Sequence, residues 1–134
     1  MRAYEHPSYQ TDRAKTGRVG EEAVAAHLGR CGYNILHRNF RIGRLGEIDI
    51  IAEKNGVIFF VEVKTRTGLS FGLPAEAVNK KKIEKIRKLA SAFMANRYKE
   101  TDDRAVEFIV AEVTAAMEKG EPIVKDIKII REAF

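Results

Sequence analysis

Gly46-Glu47-Ile48-Asp49-Ile50-Ile51-Ala52-Glu53-Lys54-Asn55-Gly56-Val57-Ile58-Phe59-Phe60-Val61-Glu62-Val63-Lys64 is the stretch that decides how this chain folds. Two β-rich runs flank Asn55-Gly56, the strongest short-range signal for a hairpin closed by a two-residue type I′ turn. Such a turn sets Lys54 opposite Val57 and, counting outward, Asp49 opposite Glu62 and Glu47 opposite Lys64. Side chains alternate faces along a strand, so Glu62 and Lys64 share one face while Val63 points to the other. Two carboxylates and an ammonium therefore meet on one patch.

That patch is costly unless it is used. Directly opposed residues have Cβ atoms roughly 5 Å apart, and like charges there destabilise a sheet. A hard divalent cation reverses the sign, because Mg²⁺ is held by one or two carboxylates with water and phosphate oxygens completing its shell. The alternative is a solvated charge ladder on a sheet edge. Against it, Ile58 and Phe60 on the Glu62 face are apolar, and so are Val57, Phe59, Val61 and Val63 on the other. A strand apolar on both faces is a buried strand.

Asp followed by Glu-x-Lys on the next strand of a hairpin resembles the PD-(D/E)xK nucleases, the restriction-endonuclease-like group. Gly46-Glu47-Ile48-Asp49 with Phe60-Val61-Glu62-Val63-Lys64-Thr65-Arg66 resembles, more specifically, the YraN family of small bacterial proteins, grouped with the archaeal Holliday-junction resolvases. The similarity runs from about Gly17 to the strand around Val110. It implies a restriction-endonuclease-like core and Mg²⁺ (or Mn²⁺) held by Asp49 and Glu62, with Lys64 as the catalytic cation. It also implies a homodimer, since symmetric cutting of two strands needs two sites. Gly20-Glu21 matches a Gly-Glu pair of the family, and related resolvases place a helix acid beside the metal. Glu21 thus enters as a third acidic site residue. The chain departs from the family at Ala105-Val106-Glu107, where Arg-Phe-Asp is more usual, which leaves the role of Glu107 open.

Outward from the hairpin, the chain suits one domain. Its 134 residues are enough for a real core. Hydrophobic residues make up 45% and charged residues 32%, as in soluble globular proteins. Lys and Arg number 24 against 19 Asp and Glu, a charge of +5 that suits a polyanionic partner. The single Cys31 excludes an intramolecular disulfide and fits a reducing compartment. No signal-peptide core or membrane-length apolar run is visible, so a cytoplasmic location is expected. Residues 1–10 read as a flexible polar arm and 11–134 as the domain.

Thr11 or Asp12 can cap a helix running to about Arg30, with Gly32 as its stop. Ala14, Gly17, Glu21, Val24, Ala25 and Leu28 form its stripe. A first strand spans Tyr33–Phe40. Arg38, Arg41 and Arg44 follow closely, read either as phosphate contacts or as a solvated basic loop. Thr65–Pro74 reads as a loop bordering the site, carrying Arg66. A second helix runs from about Asn79 to Tyr98 and buries Ile83, Ile86, Ala90, Phe93 and Met94. Lys80, Lys81, Lys82 and Lys85 crowd its start, where positive charge opposes the helix dipole. A bound polyanion would compensate them; the other reading is an ordinary solvated face. Two further strands, Ala105–Val113 and Ile123–Ile130, follow. His27 and His37 have no partners at metal-ligand spacing and read as structural; His6 lies in the arm.

The order α-β-β-β-α-β-β describes an α/β protein with a central mixed β-sheet flanked by helices. The leading expectation is a metal-dependent DNA endonuclease. Its Asp49 and Glu62 hold the metal, with the Val63 carbonyl as a further ligand, Glu21 completes the shell, and Lys64 serves the water or the charge developing on phosphate. The alternatives are a catalytically silent nucleic-acid-binding module and an adaptor that docks a protein through the basic helix.

Overall fold

Asn55 and Gly56 turn the chain with φ of 52° and 80° in the computed structural model, the two positive values that a type I′ turn requires. The structure describes residues 7–67, 79–131 and 133–134, with side chains from 13 onward. Its elements are α1 (Pro7–Arg30), β1 (Asn34–Arg41), β2 (Glu47–Lys54), β3 (Val57–Thr67), α2 (Lys80–Arg97), β4 (Ala105–Glu118) and β5 (Glu121–Ile130). The strands form one sheet in the order β1-β2-β3-β4-β5. Only β3 and β4 run parallel, with α2 as the crossover between them; every other neighbouring pair is antiparallel. The fold is thus mixed α/β, in the element order expected. No helix among the described residues is long and apolar enough to cross a membrane.

Each helix seals one face of the sheet. Val24 and Leu28 of α1 pack on Ile50, Ala52, Phe59, Val61, Ile109, Ala111 and Val113. Ile86, Leu89, Ala90 and Phe93 of α2 pack on Ile48, Ile51, Ile58 and Phe60. A fully buried Ile, Leu or Phe stabilises by about 1.5–3 kcal/mol relative to exposure, so these two clusters hold the sheet's centre. β3 contributes to both, which is why it reads as a continuous apolar run up to Glu62.

Several boundaries differ from the sequence reading. α1 begins at Pro7 rather than at Thr11 or Asp12; proline suits a helix's first turn, where its missing N–H is not needed. The remainder of the expected arm, residues 1–6, lies outside the described residues. β3 continues through Thr65, Arg66 and Thr67, which were expected in a loop, because β4 pairs with it as far as Thr67↔Ala115. The rest of that loop, 68–74, lies outside the described residues. In α2, Leu89 is fully buried although it was missing from the expected face, whereas Ile83 is only half-buried. Ala14 is exposed. A second two-residue turn, Lys119 (φ 53°) and Gly120 (φ 78°), lengthens β4 to Glu118.

Gly20 lets α1 come close to β3 at Thr65. A Cβ there would collide with the Thr65 hydroxyl and stand 3.1 Å from Thr65 Cβ. Alanine gains about 1 kcal/mol of helix propensity over glycine, but overpacking of this kind costs typically 1–3 kcal/mol. Gly20→Ala is therefore expected to lower stability by up to about 2 kcal/mol in urea unfolding, and Thr65→Ala added to it should restore the loss. An undiminished single variant would mean that α1 can back away from β3 freely.

Candidate active site

The site forms where the sheet's regular alternation fails. In a regular strand Ile48 and Ile50 would share a face, yet Ile48 packs under α2 and Ile50 under α1. β2 therefore twists at Asp49. Across the β1–β2 ladder, Asn39 lies opposite Asp49, between the pairs Arg38↔Ile50 and Phe40↔Ile48. Asn39 takes a φ of 54°, a left-handed conformation that asparagine tolerates better than most residues. Both strands kink at one level.

The kink separates β2 from β3. Their ladder runs from Lys54↔Val57 to Ile50↔Val61 and goes no further. A continued ladder would give the Val63 N–H to the Ile48 carbonyl; instead Val63 N donates to Asp49 Oδ2 at 2.8 Å. The hairpin register is the one expected, but Asp49 and Glu62 meet across a split in the sheet rather than as a ladder pair. Asp49 thus occupies the fork, with Glu21 of α1 and Glu62 of β3 both acting on its charge.

Electrostatics at the fork are strained. Burial, and next the Glu62 carboxylate, push the Asp49 pKa up to about 8, against the pull of the Val63 hydrogen bond; Glu21 and Glu47 push the same way. Glu62 is 7% exposed, the one polar side chain buried among the described residues. Its pKa is also raised, by burial first, and is held down by Lys82 and then Lys64. Lys82 Nζ sits 3.0 Å from Glu62 Oε2. The other oxygen, Oε1, is buried with no hydrogen-bond partner among the described residues. Thr65 Oγ1, Arg66 Nε and Arg38 Nε share that condition, so three of the four orphaned atoms belong to β3 around this site. Leaving such buried atoms unpaired is costly.

The remaining predicted residues divide. Glu21 accepts a hydrogen bond from Asn39 Nδ2 at 3.1 Å, tying α1 to the kink. Among the described residues no three His, Cys, Asp or Glu side chains converge into a metal-holding group, so Glu21 stands near Asp49 without completing a triad. Lys64 pairs in the ladder with Glu112, and Arg66 Nε lies 3.8 Å from Glu112 Oε2. Glu112 escaped the sequence reading because only the parallel β3–β4 pairing brings it there. Glu47 does not face Lys64; it pairs with Arg41 at 3.4 Å. Glu107 binds Arg131 through two hydrogen bonds of 2.7 and 2.8 Å, a structural pair.

The three arginines do not form one cluster. Arg38 turns toward α1, 3.1 Å from Glu22, beside a groove of about 560 Å³ that also takes in Lys15, Arg18, Glu21 and Asn39. Arg44 turns toward α2. There it lines a cleft of about 360 Å³ with Lys81, Lys82 and Lys85, floored by Leu45, Ile86 and Leu89 and flanked by Glu47. Four cations thus share a cleft with Glu47, one of the acids that raise the Asp49 pKa. Lys80 is exposed outside it. His37 packs edge-on against Phe40 and Phe93, the structural role expected of it. Asn39 was not anticipated; its only local signal is the residue type's tolerance of positive φ.

Known proteins share this chain over nearly its whole length. A protein from Acetivibrio thermocellus, named UPF0102 protein, is 43% identical over 126 residues, covering 93% of this chain and 95% of the relative. One of the same name from Caldicellulosiruptor bescii is 45% identical over 120 residues, 90% of this chain and 97% of the relative. A third, from Caldicellulosiruptor saccharolyticus, is 41% identical over 123 residues, 92% of this chain and 99% of the relative. The model of the uncharacterised protein family UPF0102 matches residues 20–113, a span that begins at Gly20 against Thr65 and contains the fork, the basic cleft, β3 and the first part of β4. The chain belongs to UPF0102, the YraN family.

Proposed function

We propose that this chain is a Mg²⁺- or Mn²⁺-dependent endonuclease of restriction-endonuclease-like fold, hydrolysing phosphodiester bonds in DNA. Branched repair or recombination DNA is the substrate class that the resemblance to resolvases implies. The reading rests on one observation: two carboxylates, Asp49 and the buried Glu62, whose charges burial disfavours, with Glu62 held by Lys82, which lines a cationic cleft. Carboxylates whose charges are disfavoured by burial suit a hard divalent cation, which reverses the sign of that electrostatic cost. The unpartnered Glu62 Oε1 offers a ligand oxygen that is already desolvated.

In this reading Asp49 and Glu62 hold the metal, and Val63 orients Asp49 by donating its N–H. Bound there, the ion would polarise the phosphate and lower the pKa of a coordinated water. Lys64 supplies a fixed positive charge beside Glu62 for the attacking water or the charge growing on phosphate. Glu112, next to Lys64 and Arg66, keeps both cations from collapsing onto the acid pair. Arg44, Lys81 and Lys85 grip the polyanion. Glu21 steadies the fork through Asn39 and would add a third negative charge near the metal.

A nucleic-acid-binding module without cleavage is the second reading, favoured by the Lys82–Glu62 ion pair, which compensates the buried acid without a metal. Single-turnover incubation with branched, single-stranded and duplex DNA in Mg²⁺ or Mn²⁺ separates the two. Cleavage lost on chelation is expected; binding without cleavage of any substrate would leave the module. Binding itself makes a further prediction. Replacing Arg44, Lys81 and Lys85 with Gln should reduce the slope of log affinity against log salt by about one unit per lost phosphate contact. An unchanged slope would mark the cleft as an ordinary solvated surface.

A further inference from the structure

We propose that Lys82 competes with the metal: its ammonium holds Glu62 while the cation is absent and is released into the adjacent cleft when the cation arrives. This deepens the nuclease reading and rests on it. Lys82 Nζ lies 3.0 Å from Glu62 Oε2, the strongest attachment that buried carboxylate has among the described residues. The two ends of the pair are unequal. The Glu62 side chain is 9% exposed and that of Lys82 37%, so the acid is fixed and the ammonium can leave.

The backbone beneath Lys82 is anchored independently of its side chain. Asn79 caps α2, its Oδ1 accepting from Lys82 N at 2.9 Å. Loss of the ion pair therefore does not unwind the helix start. The first turn of α2 has no acidic residue, so no other carboxylate on that turn holds the ammonium back. What surrounds it instead is the cleft with Arg44, Lys81, Lys85 and Glu47. A divalent ion held by Asp49 and Glu62 would share the Glu62 carboxylate with the ammonium, and like charges repel strongly in a partly desolvated site. The four-carbon stem carries the ammonium out toward solvent and toward any phosphate in the cleft. By linkage, whatever Lys82 subtracts from metal affinity the metal subtracts from the hold of Lys82 on Glu62. Metal loading thus frees one more cation for the polyanion.

Mn²⁺ binding to the DNA-free protein, followed by the paramagnetic resonance of unbound Mn²⁺, tests this without any cleavage. Lys82→Gln and Lys82→Met are expected to bind Mn²⁺ about tenfold tighter than wild type, a typical size for coupling between neighbouring sites. Lys81→Gln, in the same turn and cleft, should differ from wild type by less than about twofold, since an exposed charge is screened by water and salt. Lys82→Arg should restore the wild-type constant. If wild type binds Mn²⁺ and the Lys82 variants bind it no tighter than Lys81→Gln, the competition is overturned and the metal site stands. If none binds Mn²⁺, the nuclease reading falls and this inference with it.

Discussion

Lys64→Ala is expected to cut DNA about 100- to 1,000-fold more slowly than wild type in a single turnover, the usual cost of removing one preorganised electrostatic group. Its affinity for DNA and for Mn²⁺ should stay close to wild type. The reasoning is one of charge. A cation beside a metal site cannot be there to strengthen metal binding. Lys64 does hold the Glu62 pKa down, so its removal makes that carboxylate slightly harder to ionise, but it also removes a repulsive charge from the metal's surroundings. These effects oppose each other, which leaves the transition state as the place where the ammonium matters. The half-buried position of Lys64 on β3, paired with Glu112 on β4, fixes it in the sheet rather than on a mobile loop. Asp49→Ala should behave differently and lose Mn²⁺ and cleavage together. Equal rates for wild type and Lys64→Ala, or a wild type that cuts nothing, would remove the enzyme and leave the binding module.

The sequence carried the parts of this fold that depend on near neighbours. Asn55-Gly56 specifies its turn because both residues tolerate positive φ, and the turn alone sets the register from Lys54↔Val57 to Ile50↔Val61. Asn79 announces the start of α2 because its side chain can accept an orphan amide of the first turn. What it concealed depends on distant neighbours. The break at Asp49 arises from a kink shared with Asn39 on another strand, and no local pattern records which Asn in a strand will turn left-handed. That break decides that Asp49 is bonded by Val63 and sits among the charges of Glu62, Glu21 and Glu47, instead of in an ordinary ladder. The lysines at the start of α2 illustrate the same limit. Composition identified them as a group, but only the packing of α2 over β3 singles out Lys82 as the partner of Glu62. Arg38 and Arg44, close in sequence, end on opposite sides of the sheet for the same reason.

Without metal, the protein should be less stable at pH 8.5 than at pH 5.5, and Asp49→Asn should abolish most of that difference. The sign follows from proton counting. The Asp49 pKa is raised from 3.8 to about 8 in the fold, so between those values the native state binds a proton that the unfolded chain has lost. Stability then falls as pH rises, fully present below about 4 and lost through about 8. Over the interval from pH 5.5 to 8 the difference amounts to about 3 kcal/mol at 1.36 kcal/mol per unit, somewhat less with solvent relaxation around a half-buried group. The raised pKa of Glu62 acts in the same direction. Asparagine keeps the amide oxygen that Val63 needs and cannot ionise, so the variant escapes the penalty and should be more stable than wild type at pH 8.5 by at least what wild type loses between pH 5.5 and 8.5. Saturating Mn²⁺ should reverse the ranking, since a ligand bound by the native state alone stabilises by RT ln(1 + [L]/Kd) and only wild type retains the ligand. Urea unfolding of both proteins at the two pH values, in chelator and then in Mn²⁺, reads all of this. Parallel pH profiles in chelator would mean that Asp49 is ionised and solvated at neutral pH. No stabilisation of wild type by Mn²⁺ would mean that the fork between β2 and β3 holds no cation.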